Sequence, residues 1–531
     1  MQLLPNMSNK IPESTGNTPK TTHRLFSPVT LPCGRRVRNR LVKVAMYEHL
    51  ATLFGGPPNE YQFALYSEWS KHDWGMIFTG NVQVSKTHLT LGRDMVIPDS
   101  FTEKTLEPFK TLASRIHGSW GKDSSLAIMQ LNHSGRQSSN FIGGRPLFQP
   151  PLAPSAIRVK EKNGGLISDA VHHIMFQTPQ PMSLVDIDDL VLSFVKGTKL
   201  AFESGFDGVQ LHAAHGYLLA QFISPKSNTR IDDYSVAPKN VLRLLHRVVT
   251  SIREAVPAQF VVGLKLNAAD YLTPLPSAGS SVTDTQTTGS QEDRALKHVL
   301  AIAQWGSIDF IEISGGDYEK PSFMASENYS SKSPRQAFFA RFSHRAMQAL
   351  DSLPRDASSP ALPLILLTGG LRTPGLLHSA LASRHADLLG IGRGSVLCPD
   401  LPTVLKERED HEDRDQWEDV SFAPEPDLGS SAFLQYWPLT WFWAGVPNIG
   451  LIGAGVGMAW YVVMIRKLAL DGLGRTRESY KADYNIGGLG AVLSMWAWIC
   501  SPNMHWIGPW TFFTSIVAPI AILFWLLFTL H

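Results

Sequence analysis

A short apolar run that ends in polar residues decides the fold: Asp207-Gly208-Val209-Gln210-Leu211-His212-Ala213-Ala214-His215-Gly216-Tyr217. Gly208–His212 has the length and apolar content of a buried strand, and polar residues follow directly at its end. Seven further runs are candidate strands, and several are nearly continuous in apolar residues, as expected for parallel strands covered on both faces. These runs are Leu41–Ala45, Gly75–Thr79, Leu126–Leu131, Val261–Leu266, Phe310–Ser314, Leu364–Thr368 and Leu388–Ile391.

Longer helical stretches lie between the candidate strands: Glu60–Lys71, Leu190–Ser204, Val241–Ala255, Asp293–Trp305 and Gln336–Leu350. Alternation of strand and helix, repeated eight times, predicts an α/β fold over residues 25–405, a (β/α)8 TIM barrel. In this fold the chemistry takes place at the C-terminal ends of the strands. Functional residues are therefore expected there.

Three segments do not fit a compact barrel. Residues 1–24 are polar and rich in Pro, Asn, Ser and Thr, which predicts a disordered N-terminus. Residues 273–292 are dominated by Ser, Thr, Gly, Pro and Gln, which predicts a disordered insertion after the fifth strand. Residues 406–436 are charged and then rich in Pro, Gly and Ser, which is typical of a linker.

The distribution of tryptophan sets the C-terminal region apart. Nine of the 14 tryptophans follow residue 430, whereas residues 430–531 hold only eight of the 94 charged residues. Crossing a bilayer takes about 20 apolar residues, and the region has three charge-free runs: Trp441–Ile465, Tyr484–Cys500 and Pro509–Leu530. Residues 437–531 are therefore predicted to form a C-terminal α-helical transmembrane region of two or three helices. The alternative is a buried helical subdomain.

Charge and termini limit the location and the partners. The N-terminal residues lack the apolar segment of a signal peptide, so the barrel is expected to face the cytosol from an intracellular membrane. A net charge of +2 argues against a nucleic-acid partner. Three scattered cysteines, Cys33, Cys398 and Cys500, fit neither a disulfide scaffold nor a zinc site. Oligomer formation stays open.

His212, His215 and Tyr217 follow the fourth strand closely enough for all three side chains to reach the barrel mouth. Two neutral imidazoles can donate hydrogen bonds to a carbonyl or phenolate oxygen, and a tyrosine hydroxyl can donate a proton. The alternatives are a packed structural cluster or a metal pair with His133. Since no carboxylate or cysteine stands at a nearby strand end, we predict no metal.

Glycine pairs follow the last strands: Ser314-Gly315-Gly316, Thr368-Gly369-Gly370 and Gly390-Ile391-Gly392-Arg393-Gly394. Glycine lets backbone N–H groups approach a phosphate closely, and Arg393 adds positive charge, although tight turns need glycine too. A phosphate site after strands seven and eight is common in TIM barrels. Within the fifth strand, Lys265 interrupts an apolar run and is expected to point inward near an electron-rich cofactor ring, rather than outward between helices.

Two motif blocks are specific: Gln130-x-x-His133-x-Gly135-Arg136 and His212-x-x-His215-x-Tyr217. Together they resemble the old yellow enzyme family, the FMN-dependent ene-reductases and NADH:flavin oxidoreductases. The resemblance covers about residues 25–405, and its matching segments follow one another in the same order as in the family. They begin with segments similar to the family's N-terminal hairpin, continue with Trp74–Asn81 and end with Gly392-Arg393. The hairpin segments are Leu25-Phe26-Ser27-Pro28 and Val37-Arg38-Asn39-Arg40.

The resemblance implies an FMN site. Gln130 would hydrogen-bond the pyrimidine edge of the flavin, and Lys265 would lie beside N1 and O2, where negative charge accumulates on reduction. The phosphate would be held by Gly369, Gly370, Gly392 and Arg393. Further cofactor contacts are expected from Ala45, Met46, Tyr47, Gly80, Gly315 and Gly316.

The resemblance also implies a reaction. His212 and His215 would bind the carbonyl oxygen of a small hydrophobic enone or enal, so that its β-carbon accepts hydride from flavin N5. Tyr217 would protonate the α-carbon, and NADPH or NADH would first reduce the flavin in the same pocket. The alternatives are an NADH oxidase, a tailoring reductase or isomerase of a biosynthetic pathway, or a membrane scaffold that has lost its flavin contacts.

Two positions depart from the family pattern. Tyr47 stands where the family often has Thr or Cys near the flavin. Lys265 stands where Arg is more usual, which keeps the charge but loses the planar fork of donors. Neither change removes the expected route for hydride.

Overall fold

The barrel closes through parallel pairing of eight strands. The computed structural model describes residues 24–119, 121, 124–160, 166–268, 282–316, 334–408, 418–426, 428, 450–476 and 479–500. In chain order, the strands within this part of the chain are β1 (Val29–Thr30), β2 (Arg36–Val37), β3 (Leu41–Lys43), β4 (Met76–Gln83), β5 (Met95–Val96), β6 (Leu126–Asn132), β7 (Leu152–Ala153), β8 (Gln180–Pro181), β9 (Gly208–Ala213), β10 (Val261–Asn267), β11 (Phe310–Ser314), β12 (Leu364–Thr368) and β13 (Leu388–Ile391).

The order of pairing is that of a TIM barrel. The sheet runs β3-β13-β12-β11-β10-β9-β6-β4, and β3 also pairs with β4, which closes it. All eight predicted strands are confirmed, and all these pairings are parallel. The expected N-terminal hairpin is also present, because β1 pairs with β2 in antiparallel register.

Helices follow most of the barrel strands. Within the described residues they are α1 (Glu60–Ser70), α2 (Glu103–His117), α3 (Leu166–Met175), α4 (Leu184–Glu203), α5 (Leu218–Ile223), α6 (Arg243–Ala255), α7 (Val282–Gln304), α8 (Pro334–Asp351), α9 (Pro374–Ala382), α10 (Arg393–Leu397), α11 (Leu401–Arg408), α12 (Gly450–Gly472) and α13 (Gly488–Cys500). A capping box starts α1: the Asn59 side chain accepts from the Tyr61 N–H, and Gln62 accepts from the Asn59 N–H.

The barrel interior is filled with side chains. Successive residues of a strand point to opposite faces, so Val42 and Phe78 pack inside the barrel whereas Leu41 and Ile77 pack outside against helices. Inside, the rings of Phe78 and Phe310 lie 5.4 Å apart. Because this core fills the lower part of the barrel, a ligand that enters the barrel is expected at its mouth.

Part of the predicted disordered insertion is helical. Val282–Glu292 forms the first turns of α7, while residues 273–281 lie outside the described residues. The Glu292 side chain is buried and accepts hydrogen bonds from Arg341 and Arg345 on α8. These contacts fix α7 against α8, so the polar composition of the segment does not leave all of it unfolded.

Residues 418–426, within the predicted linker, are fastened to the barrel. The Gly375 N–H donates to the Glu418 carbonyl at 2.9 Å, and the Phe422 N–H donates to the Arg372 carbonyl at 3.0 Å. This part of the linker therefore has a fixed path along the ends of β12 and β13.

The first two predicted membrane runs fold differently from expectation. No helix among the described residues is both long and apolar enough to cross a membrane. The first run lies partly in α12, which packs against α1 and α13, and its Trp460 is fully buried. The second run lies partly in α13, which has only 13 residues. The third run, 509–530, lies outside the described residues.

Polar contacts join these C-terminal helices to the barrel as well. Arg475, which follows α12, forms an ion pair with Glu60 on α1 at 3.1 Å. The Tyr480 hydroxyl donates to the Val396 carbonyl at 2.7 Å. For α12 and α13, the structure therefore departs from the predicted membrane-spanning helices: residues 460–465 on α12 are buried, whereas Leu493 and Trp496 on α13 are exposed.

Candidate active site

A cavity of about 260 Å³ opens at the C-terminal ends of the barrel strands. Residues predicted from the resemblance line much of it: Ala45, Met46, Tyr47, Gln130, His212, His215, Tyr217, Lys265, Gly369, Gly370, Gly392 and Arg393. Further lining residues were not predicted: Asn81, Ser314, Thr368, Arg372, Ala423, Glu425, Met458 and Tyr461. The last four come from the C-terminal region beyond the barrel.

Three predicted cofactor residues do not line this cavity. The Gly80 N–H donates to Glu48 Oε1 at 2.9 Å, and a Cβ at Gly80 would lie 2.6 Å from the Met46 carbonyl oxygen. The structure therefore gives Gly80 a packing role in the loop after β3, and its cofactor contact stays a prediction. Gly315 and Gly316 follow Ser314 at the end of β11, and Ser314 is the residue that faces the cavity.

His212 is held as a neutral hydrogen-bond donor. Its Nδ1 accepts from the Ala214 N–H at 3.3 Å, which leaves the proton of the neutral ring on Nε2. Burial, followed by the positive charge of Lys265, lowers the pKa of His212 well below its ordinary value. The imidazole is therefore neutral at physiological pH and can donate through Nε2 at the cavity wall.

The backbone and a serine fix His215. Its φ angle is +55°, a left-handed conformation that non-glycine residues seldom adopt. The His215 N–H donates to Asn267 Oδ1 at 3.1 Å, and its Nε2 lies 2.8 Å from Ser314 Oγ. The two imidazole rings meet edge to face with centroids 5.1 Å apart. A strained backbone held by several partners is typical of a functional site.

Tyr217 completes the group at the end of β9. Its ring meets His212 edge to face at 4.6 Å, and it is the N-cap residue of α5. Gly216, with a φ of +73°, makes the turn that brings the tyrosine back over the strand end. His212, His215 and Tyr217 therefore lie together at one wall of the cavity, as the sequence predicts.

Gln130 presents an unused acceptor. Its Nε2 donates to Asn81 Oδ1 at 2.6 Å, whereas its buried Oε1 has no hydrogen-bond partner among the described residues. A buried polar atom without a partner is costly, so such an atom in a cavity wall marks a place where a ligand donor fits. Thr368 Oγ1 is a second buried atom without a partner among the described residues.

Lys265 reaches the cavity with a buried counter-ion. Lys265 Nζ lies 3.0 Å from Glu312 Oε1, and the side chains are only 5% and 0% exposed. Gln210 Nε2 donates to Glu312 Oε2 at 2.8 Å. Lys265 and Glu312 are direct neighbours in the β10–β11 register. The sequence contained this signal, because a charged residue interrupts each of two consecutive apolar strands.

Two arginines and one glutamate meet at the ends of β12 and β13. Glu425 Oε1 lies 2.7 Å from Arg372 Nη2 and 3.0 Å from Arg393 Nη1. The Tyr461 hydroxyl donates to Glu425 Oε2 at 3.1 Å. This is the end of the cavity where the glycine pairs predict a phosphate. No spacing in the sequence could reveal that Glu425 and Tyr461 join it, because both lie outside the barrel pattern.

A metal site is absent from the described residues. No group of three or more His, Cys, Asp or Glu side chains among them could hold a metal ion. His133 instead stacks on His88 with centroids 4.3 Å apart, and its Nδ1 accepts from the Gly135 N–H at 3.1 Å. The alternative of a metal pair with His133 therefore has no support in this part of the chain.

The sequence model of the NADH:flavin oxidoreductase / NADH oxidase family matches residues 24–412. The chain belongs to this family. NADH-dependent flavin oxidoreductase iliE of Neonectria sp. (strain DH2) is 36% identical over 388 residues, covering 71% of this chain and 46% of that protein. NADH-dependent flavin oxidoreductase iccE of Talaromyces variabilis is 32% identical over 467 residues, covering 84% of this chain and 99% of that protein. The chain thus spans less than half of the Neonectria relative.

Solved structures share the barrel. The old yellow enzyme homologue from Zymomonas mobilis has a TM-score of 0.54 at 21% identity, covering 72% of this chain and 92% of its own. Morphinone reductase has a TM-score of 0.53 at 20% identity, covering 72% and 89%. At these identities the likeness shows the fold.

Family membership makes the chain an FMN-dependent oxidoreductase with a nicotinamide reductant. The residues of the cavity fit FMN. Gln130 Oε1 could accept from the flavin pyrimidine, and Lys265 could face its anionic edge. Gly369 and Gly370 have φ angles of +115° and +73°, so their backbone passes close to the cavity without side chains. Arg393 and Arg372 supply positive charge for the phosphate.

Proposed function

We propose that this family member reduces the C=C bond of a small hydrophobic α,β-unsaturated carbonyl compound with electrons from NADH or NADPH. One observation carries the proposal. A neutral imidazole donor, a second imidazole and a tyrosine hydroxyl share one wall of the cavity whose other walls fit FMN. FMN, when bound, supplies hydride chemistry to a substrate in the same cavity.

In this proposal the imidazoles bind the substrate carbonyl. His212 Nε2–H donates to the carbonyl oxygen, and the ring stays neutral because burial lowers its pKa well below the ordinary value. His215, fixed by Asn267 and Ser314, holds the oxygen from a second side. Donors placed in advance at an oxygen that gains negative charge favour addition of hydride to the β-carbon.

Tyr217 supplies the proton that completes the reduction. Addition of hydride at the β-carbon leaves an enolate, whose α-carbon takes the phenolic proton. The resulting phenolate is then reprotonated from solvent. A general acid in this position contributes on the order of 10²–10⁴ in rate. The two electrons and one proton of the hydride, together with this proton, account for both hydrogens added across the C=C bond.

The experiment that tests this function is anaerobic turnover. Purified protein loaded with FMN is mixed with NADH or NADPH and 2-cyclohexenone, and the saturated ketone is measured by gas chromatography. We expect ketone formation that His212→Ala nearly abolishes, with little change in reduction of the flavin by NADH. Wild-type protein that oxidises NADH but forms no saturated ketone from any of several enones and enals would refute the proposal.

An NADH oxidase is the second candidate. The family name includes this activity, and a protein named NADH oxidase from Thermoanaerobacter brockii is 24% identical over 382 residues, covering 71% of this chain and 50% of its own. An oxidase passes electrons to O₂ and does not need Tyr217 as a proton donor to carbon. Aerobic NADH consumption that is unaffected by Tyr217→Phe and by added enone would favour it.

A further inference from the structure

The C-terminal region places a carboxylate at the phosphate end of the FMN cavity. Glu425 lies beyond residues 24–412, the part matched by the family, yet its side chain lines the cavity and is only 6% exposed. Its Oε1 receives both guanidinium groups, Arg372 at 2.7 Å and Arg393 at 3.0 Å. A side-chain anion is thus bound where two arginines and the glycine turns favour an anion.

A carboxylate and a phosphate bind to arginine in the same way. Both accept paired, charge-assisted hydrogen bonds from the guanidinium fork. A flavin phosphate at this end of the cavity would therefore share Arg372 and Arg393 with Glu425. Glu425 also cancels one of the two positive charges, which weakens the attraction for a phosphate carrying about −1.5 to −2 charges.

The chain holds this carboxylate in place. The Phe422 N–H donates to the Arg372 carbonyl at 3.0 Å, and the Tyr484 hydroxyl donates to the Pro424 carbonyl at 3.2 Å. The Tyr461 hydroxyl donates to Glu425 Oε2, and burial followed by the Glu425 charge raises the pKa of Tyr461, so this donor stays protonated. Because backbone and side chain are both fastened, a bound phosphate would meet the negative charge rather than displace it.

We propose that Glu425 is a specificity-determining residue of the cofactor site, which lowers the preference for FMN over unphosphorylated riboflavin by competing with the flavin phosphate for Arg372 and Arg393. The inference rests on FMN binding, a family property, and is independent of which substrate is reduced. The C-terminal region is in this way a part of the cofactor site.

The test compares two flavins on the full chain. Flavin-free wild-type protein and Glu425→Gln are titrated with FMN and with riboflavin, and binding is followed by the quenching of flavin fluorescence. Glutamine keeps the shape and one acceptor oxygen for the two arginines but removes the charge, and its amide nitrogen no longer accepts from the Tyr461 hydroxyl. We expect FMN to bind the variant at least about tenfold more tightly, equivalent to about 1.4 kcal/mol, and riboflavin to bind both proteins alike. The gain should shrink at high salt, because salt screens the charge.

Glu418→Gln is the matched control. Glu418 belongs to the same segment, but its carboxylate faces His378 at 3.4 Å instead of the two arginines. Its removal should leave both affinities unchanged. If Glu425→Gln does not fold, as judged by thermal melting, Glu425→Ala removes the same charge and is read in the same way.

Three results would overturn the proposal. Weaker FMN binding with unchanged riboflavin binding would mean that Glu425 orients the arginines for the phosphate. Parallel changes for both flavins would mean that it only supports the fold. Unchanged affinity for both would mean that its charge does not reach the phosphate.

Discussion

Removing one partner of the buried pair of Lys265 and Glu312 should destabilise the barrel at its active-site end. Lys265 Nζ and Glu312 Oε1 are 3.0 Å apart with side chains 5% and 0% exposed. Lys265→Met keeps most of the side-chain volume but, within the described part of the chain, leaves Glu312 with Gln210 Nε2 as its one side-chain donor. Removing one partner of a buried ion pair costs about 3–5 kcal/mol, because the other charge stays buried alone.

Urea denaturation of the full chain, followed by far-ultraviolet circular dichroism, measures this cost. We expect the free energy of unfolding of Lys265→Met to fall by about 3–5 kcal/mol. The double variant Lys265→Met/Glu312→Leu should recover at least about 2 kcal/mol of that loss, since replacing both partners of a buried pair by apolar groups is often neutral.

An exposed ion pair provides the matched control. Lys86 and Asp99 lie 2.8 Å apart with side chains 65% and 81% exposed. Lys86→Met should change the free energy of unfolding far less than Lys265→Met does, because water screens exposed pairs. A loss below about 1 kcal/mol for Lys265→Met, or additive losses in the double variant, would refute the reasoning.

Three further predictions test other parts of the molecule. Tyr217→Phe should slow enone reduction by about 10²-fold or more while reduction of the flavin by NADH, seen by stopped flow, is unchanged; an equal slowing of both steps would contradict it. Burial lowers the pKa of His49 and of His133 to about 3. An unfolded histidine binds a proton below about pH 6.5, whereas these buried histidines stay neutral down to about pH 3. Between these two values the free energy of unfolding should decrease as the pH is lowered, and His49→Gln should reduce this slope by about 1.4 kcal/mol per pH unit in urea titrations. An unaltered slope would argue against a buried neutral His49. Trp460→Ala should cost about 3–5 kcal/mol and lower the single melting transition, whereas a separate transition for the C-terminal helices would show that they fold apart from the barrel.

The barrel could be predicted from sequence because its signal is local. Each barrel strand is a short apolar run, because parallel strands are buried on both faces. This pattern does not depend on which strands are neighbours in the sheet. His212, His215 and Tyr217 could be predicted for the same reason, since they follow directly from the end of β9. Lys265 stood out as a charge within a strand, and Glu312 carries the same signal one strand later.

The C-terminal region could not be predicted in the same way. Apolar composition shows that a helix buries its surface, but not whether lipid or protein covers it. Trp460 is fully buried, lies 5.6 Å from the Tyr484 ring and donates through Nε1 to the Asp483 carbonyl at 3.2 Å. Glu425 and Arg393 lie 3.0 Å apart although they are 32 residues apart in the chain (425 − 393). No pattern of spacing along the chain encodes either contact.

Reoxidation of the reduced flavin in a single turnover tests the central claim most directly. Holoprotein is reduced anaerobically with one equivalent of NADH and then mixed with 2-cyclohexenone in a stopped-flow spectrometer. The account predicts that the yellow colour returns together with one saturated ketone per flavin, much more slowly in Tyr217→Phe. A flavin that stays reduced with every enone and enal tried, yet reoxidises at once when air is admitted, would contradict it.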